Sequence, residues 1–85
     1  MATRGPIKSI HSVEHAALCE VLRSARLKAG LTQAELAKRL KRPQSFVAKY
    51  EGGERRLDVI EFVTVSRMIG TDPMKNLRSL LKQLK

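Results

Sequence analysis

The sequence predicts an all-α fold of five helices, and three observations carry that prediction. Apolar residues recur three and four positions apart in successive short segments. Threonine or aspartate heads the later segments and glycine closes most of them, as expected of helix ends. Nowhere do apolar and polar residues alternate as they would along a half-buried strand. The composition agrees, with 42% hydrophobic but only 4% aromatic residues, so a core must be packed from Leu, Val, Ile and Ala. The 85 residues leave room for one domain, and a domain of this size buries only about 60% of the surface its unfolded chain exposes. A partner subunit would enlarge that core.

The first helix is expected from His15 to Ala29, where Leu18, Val21, Leu22 and Ala25 form one stripe and Gly30 ends the run. Thr32-Gln33-Ala34-Glu35 then reads as a capping box, in which Thr32 and Glu35 satisfy each other's backbone N–H. It opens a short second helix with Leu36, Ala37 and Leu40 inward and Lys38, Arg39, Lys41 and Arg42 on or beyond its outer face. Pro43 disfavours helical geometry at Arg42, so a tight turn is expected at Lys41–Pro43. The third helix runs from Gln44 to Glu51, with Val47 and Tyr50 inward and Gly52-Gly53 as its stop. Asp58 and Glu61 repeat the capping pattern ahead of a fourth helix whose stripe is Val59, Phe62, Val63, Ser66 and Ile69, ended by Gly70. Asp72-Pro73 supplies a cap and a first-turn proline for a fifth helix reaching about Leu84. Residues 1–12 read as a flexible basic arm and residues 13–85 as a single domain.

The net charge of +9 is unevenly placed. Residues 1–22 are balanced, whereas residues 23–56 hold Arg23, Arg26, Lys28, Lys38, Arg39, Lys41, Arg42, Lys49, Arg55 and Arg56 against Glu35, Glu51 and Glu54. A polyanion is therefore expected to meet the middle of the chain; the alternative is a merely solvated surface. Cys19 is the one cysteine, which excludes an internal disulfide framework and any multi-cysteine zinc site, and a cytoplasmic setting is expected. No apolar run approaches the roughly 18 residues of a membrane span, and Met1–Ser12 lacks the apolar stretch of a signal peptide. With no P-loop, nucleophile elbow or dinucleotide fingerprint, neither catalysis nor a cofactor is expected.

Two short helices joined by a tight turn, the second one polar outside, match the helix-turn-helix motif. Counted from Gln33, Leu36 and Ala37 fall at the fourth and fifth places, Val47 at the fifteenth and Tyr50 at the eighteenth. Those places need apolar side chains, and the fifth needs a small one where the helices cross. The segments Leu31-Thr32-Gln33-Ala34-Glu35-Leu36-Ala37 and Gln44-Ser45-Phe46-Val47-Ala48-Lys49-Tyr50-Glu51 resemble the XRE family of lambdoid phage repressors and bacterial regulators. The likeness runs from about Leu22 to Ile69 and implies a five-helix, lambda-repressor-like DNA-binding domain, usually dimeric, acting on palindromic operators.

The resemblance also implies roles. Gln44, Ser45 and Lys49 occupy the outward places of the recognition helix and are the candidates for reading bases; glutamine can pair with adenine and lysine with guanine. Ala48, small and outward, suits a thymine methyl. Gln33, at the head of the second helix, is expected to meet a phosphate and, by family analogy, to brace Gln44. Lys41, Arg42, Arg55 and Arg56 are expected to straddle the duplex backbone, a solvated basic loop being the alternative. Arg26 and Glu51 match a partly buried salt bridge of the family. The ninth place, often glycine because the turn needs positive φ, is Lys41 here. Phe46 fits a core edge better than a groove contact.

His11 and His15 lie one turn apart beside Glu14, but H-S-V-E-H does not have the order of a zinc-peptidase motif, and no metal is expected. Cys19 reads as a semi-buried small residue. Met74, Leu77, Leu81 and Leu84, with Leu80 alongside, are spaced like the seam of a short coiled coil. This face reads first as a homodimer interface; packing onto the first helix is the alternative, and a membrane-surface helix ranks last for want of aromatic anchors. The sequence thus points to a dimeric, sequence-specific binder of double-stranded DNA, expected to act as a transcriptional repressor on a pseudo-palindromic operator. An antitoxin that shares its apolar face with a toxin, or an interaction module without DNA binding, are the competing readings.

Overall fold

The computed structural model describes residues 12–84, which form α1 (Val13–Lys28), α2 (Gln33–Leu40), α3 (Gln44–Glu51), α4 (Val59–Ile69) and α5 (Pro73–Gln83). Backbone N–H groups at four of the five helix starts are taken up by side chains: Ser12 accepts from His15, Thr32 from Glu35, Asp58 from Glu61 and Asp72 from Met74. Both expected capping boxes are closed in both directions. α1 starts two residues before the expected His15 because Ser12 caps it, the Oγ accepting at 3.0 Å. Ser12 therefore belongs to the helix start; the rest of the expected arm lies outside the described residues.

The core gathers one face of every helix from α1 to α4. Leu22, Leu36, Ala37, Val47, Tyr50, Val65 and Ile69 are buried at its centre, and Leu18, Ala25, Leu40 and Phe62 close its edges. α4 departs from expectation at two positions. Val59 shares the face of Ser66 but is the first residue of the helix, two turns earlier, and is 74% exposed. Val65, absent from the predicted stripe, is buried instead, between Phe62 and Ile69, which the stripe did include.

A buried polar clasp ties α5 to the end of α4. Asn76 Nδ2 donates to Ser66 Oγ at 3.0 Å and to Thr71 Oγ1 at 2.9 Å, while the Thr71 hydroxyl donates to the Ser66 carbonyl at 3.0 Å. The predicted seam of α5 stays on the outside. Met74, Leu77, Leu81 and Leu84 are exposed and Leu80 is half-buried. Beside them, Leu18, Val59, Phe62 and Val63 help to line an open apolar recess of about 370 Å³. Among the described residues no helix is long and apolar enough to cross a membrane.

Also on α1, Cys19 lies buried with its Sγ 3.8 Å from both ring nitrogens of buried His15. Burial raises the thiol's pKa, which works against thiolate chemistry. No group of three metal-ligating side chains occurs among the described residues, and His11 lies outside them.

Candidate nucleic-acid interface

The approach to α3 is set by one backbone conformation. Lys41 takes φ 58° and ψ 41°, the one non-glycine residue with positive φ among the described residues. This left-handed step lets the Arg42 N–H donate to the Ala37 carbonyl at 3.0 Å, closing the end of α2 before Pro43 begins the next helix. The turn the sequence placed at Lys41–Pro43 is therefore a helix-ending motif with a lysine in glycine's usual place.

α3 then separates its side chains by face. Phe46, Val47 and Tyr50 are buried, the last two completely, while Gln44, Ser45, Ala48 and Lys49 are exposed in a row. The four candidate base readers thus share one outward surface, held by an opposite face that cannot rotate without opening the core.

The foot of α3 is anchored by Glu51. Arg26 Nε donates to Glu51 Oε2 at 2.7 Å and Nη2 to Oε1 at 2.9 Å, with both side chains under 10% exposed. Arg26 Nη1 reaches the Leu31 carbonyl at 2.7 Å, so one guanidinium joins α1, the loop before α2, and α3. Its hydrogen bonds to Glu51 raise the arginine's pKa further. Gln33 Nε2 donates to Glu51 Oε1 at 3.0 Å. The expected brace from Gln33 therefore goes to Glu51 and not to Gln44, because the carboxylate at the end of α3 still has an acceptor site within reach.

The head of α3 is held differently. The Phe46 ring has the Arg42 guanidinium carbon 4.1 Å and the Arg55 carbon 4.7 Å from its centroid, close enough for cation–π attraction. Glu61 ties these cations to α4. Arg55 Nη1 and Nη2 donate to its two carboxylate oxygens, each at 3.0 Å, and Arg42 Nη2 lies 3.6 Å away. Arg55 Nη1 also donates to the Arg56 carbonyl at 2.8 Å. The Arg55 hydrogen bonds, with the Asp58 N–H, hold the Glu61 carboxyl below its usual pKa. Sequence reasoning gave Glu61 only its capping role. The signal for more was an arginine six residues upstream, a spacing no helix pattern singles out.

These contacts distinguish the predicted phosphate ligands. Lys41, Arg42 and Arg56 are exposed, whereas Gln33 and Arg55 are half-buried and already bonded within the protein. Arg42, Ser45, Lys49 and Arg55 line one open recess of about 530 Å³ beside the α3 head, with Phe46 in its wall. The α5 seam lies elsewhere and lines none of it.

A helix-turn-helix domain family matches residues 17–73. An XRE-family like protein from Pseudomonas syringae pv. tomato is 54% identical, with 92% of this chain and 95% of that one covered at a TM-score of 0.81. The restriction-modification controller protein C.Esp1396I, in a tetramer complexed with its natural 35 base-pair operator, is 21% identical. There 88% of this chain and 100% of that one superpose at a TM-score of 0.80. The clp gene regulator ClgR from Corynebacterium glutamicum is 22% identical over 85% of this chain and 77% of that one, with a TM-score of 0.76. At such identities the last two are likenesses of fold. No curated protein sequence matches the chain.

Proposed function

The chain belongs to the XRE family of helix-turn-helix proteins, and on that premise we propose that it is a sequence-specific DNA-binding transcriptional regulator, a homodimeric repressor of a pseudo-palindromic operator. The observation that carries the reading is the division of α3: Val47 and Tyr50 are fully buried, and Gln44, Ser45, Ala48 and Lys49 stand exposed along the other face. In a major groove, Gln44 and Ser45 at the N-terminal end reach deepest, Lys49 donates to a guanine edge and Ala48 packs against a methyl group. Lys41, Arg42 and Arg56 meet phosphates on either side of the helix and fix its register. An operator complex of a protein with this fold, the restriction-modification controller, supports the DNA-binding reading.

The exposed α5 seam of Met74, Leu77, Leu81 and Leu84, with Leu80 at its edge, is the surface for a second copy. Pairing there carries two recognition helices into successive major grooves about 34 Å apart, and a bound dimer excludes polymerase from an overlapping promoter. Selection of bound duplexes from a random pool, with sedimentation of the same sample, tests both parts. A two-fold symmetric site and a dimer are expected. Gln44→Ala then loses about 1–3 kcal/mol on the selected site with little loss on random duplex. Equal losses on both duplexes would sink the base-reading role. Sedimentation as a monomer at the concentration that saturates the site would sink the dimer.

A further inference from the structure

The arginines flanking Phe46 are alike in charge and stacking, but Glu61 makes them unequal. Arg55 gives two 3.0 Å hydrogen bonds to the carboxylate and a third, at 2.8 Å, to the Arg56 carbonyl. Arg42, which lines the recess with Ser45 and Lys49, has only an ion pair of 3.6 Å to that carboxylate, too long for a hydrogen bond, so its guanidinium keeps its donor capacity. Two cations and one carboxylate leave this cluster with a single net positive charge. Glu61 is itself fixed, its Oε1 accepting from the Asp58 N–H and its own N–H donating to Asp58 Oδ1.

We propose that Glu61 and Arg55 are positioning residues for DNA recognition: they brace Phe46, and with it the head of α3, and so leave Arg42 as the one phosphate ligand of the cluster. The proposal rests on the DNA-binding reading and deepens it. Arg55, grouped by its sequence position with the phosphate ligands, becomes a strut, and its guanidinium fork matters more than its charge. Glu61, read from the sequence as a helix cap, sets how squarely α3 presents Gln44 and Ser45.

The test measures affinity against salt on a random-sequence duplex, and the affinity ratio between a duplex selected by the parent chain and that random duplex. Arg42→Ala lowers the salt slope by about 0.9, one phosphate contact. Arg55→Lys keeps the charge but loses the fork; the slope holds while the selected-over-random ratio falls roughly five- to tenfold, the low end of losing one base contact. Glu61→Gln, which can still complete the capping box, lowers the ratio similarly without a shallower slope. Thermal melts establish that each variant is folded, and if Arg55→Lys does not fold, Glu61→Gln alone decides. Ratios within about twofold of the parent for the folded variants overturn the proposal while leaving DNA binding intact. A parent chain that shows no salt-dependent binding to the random duplex refutes the DNA-binding reading, and this proposal with it.

Discussion

Lys41→Gly should make the protein more stable and a weaker DNA binder. Lys41 holds φ 58°, where the Cβ of an L-residue crowds the following carbonyl at a cost of about 1–2 kcal/mol. Glycine removes that crowding but gives the unfolded chain extra freedom, which offsets about 0.4–1 kcal/mol of the gain. The side chain is exposed and no packing is lost with it, so the net stabilisation is about 0.5–1 kcal/mol. For a domain of this size that raises the melting temperature by roughly 2–8 °C. Lys41→Ala separates conformation from charge, since alanine is strained like lysine but carries no ammonium group. Circular-dichroism melts should place the alanine variant near the parent and the glycine variant above it. Salt titrations on duplex DNA should show both losing the same slope, about 0.9 if Lys41 meets one phosphate. A glycine variant that melts with or below the alanine variant would refute the claim that strain at this turn is relieved by glycine.

Other consequences follow from the two anchors of α3 and from the core. Arg26→Met strands the Glu51 carboxylate in a site where it is almost fully buried, and a loss of about 3–5 kcal/mol is expected in denaturant titrations; a loss under 1 kcal/mol would mean that water reaches the carboxylate. The Glu61 carboxyl is held below its usual value of 4.5, so the unfolded chain takes up a proton first as the pH falls. Its contribution is complete above that value and disappears as the pH drops through the folded-state value, so melting temperatures measured from neutral to acid pH should fall less steeply for Glu61→Gln. The hydroxyl of Tyr50 is buried with no hydrogen-bond partner among the described residues, and burial pushes its pKa well above 10. Tyr50→Phe should therefore be neutral or stabilising by up to about 1 kcal/mol. In the parent, tyrosinate absorbance from this single tyrosine should stay silent past pH 10 and appear only with unfolding, because the stability its neutral form provides is lost as the pH rises above the unfolded-state value.

The helices were legible in the sequence because their signals are local. Thr32 with Glu35 and Asp58 with Glu61 each close a box within one turn, and α3 has the bounds expected, Gln44–Glu51. The left-handed turn at Lys41 was legible for another reason, the motif place it occupies. What stayed hidden depends on distance in three dimensions. Gln33 lies 18 residues from Glu51 and Asn76 lies 10 from Ser66, and no periodicity marks either pairing. Val59 has the spacing of a core residue, yet at the first position of α4 it is 74% exposed. Pattern identifies the face of a helix and leaves open where along its length that face is covered.

The candidate site raises a question of design that its geometry helps to answer. A helix of eight residues with no side-chain cap at its start has too few internal hydrogen bonds to stand alone in water. Burial of Val47 and Tyr50 is enough to hold it against the protein, yet apolar contacts alone allow a short helix to rock about its buried edge. Directional groups at both ends remove that freedom: Arg26 and Gln33 on Glu51 at the foot, and the arginines and Glu61 around Phe46 at the head. Buried ion pairs are a poor source of stability, since desolvation offsets most of their attraction. Their geometry is strict, however, and strict geometry is what the proposed base reading requires, because the hydrogen bonds proposed for Gln44 and Lys49 would tolerate little misplacement. The same charges explain why the anchors differ. The foot is closed over with its charges matched, while the head keeps one unmatched cation at the rim of the recess, on the side where the outward row of α3 begins.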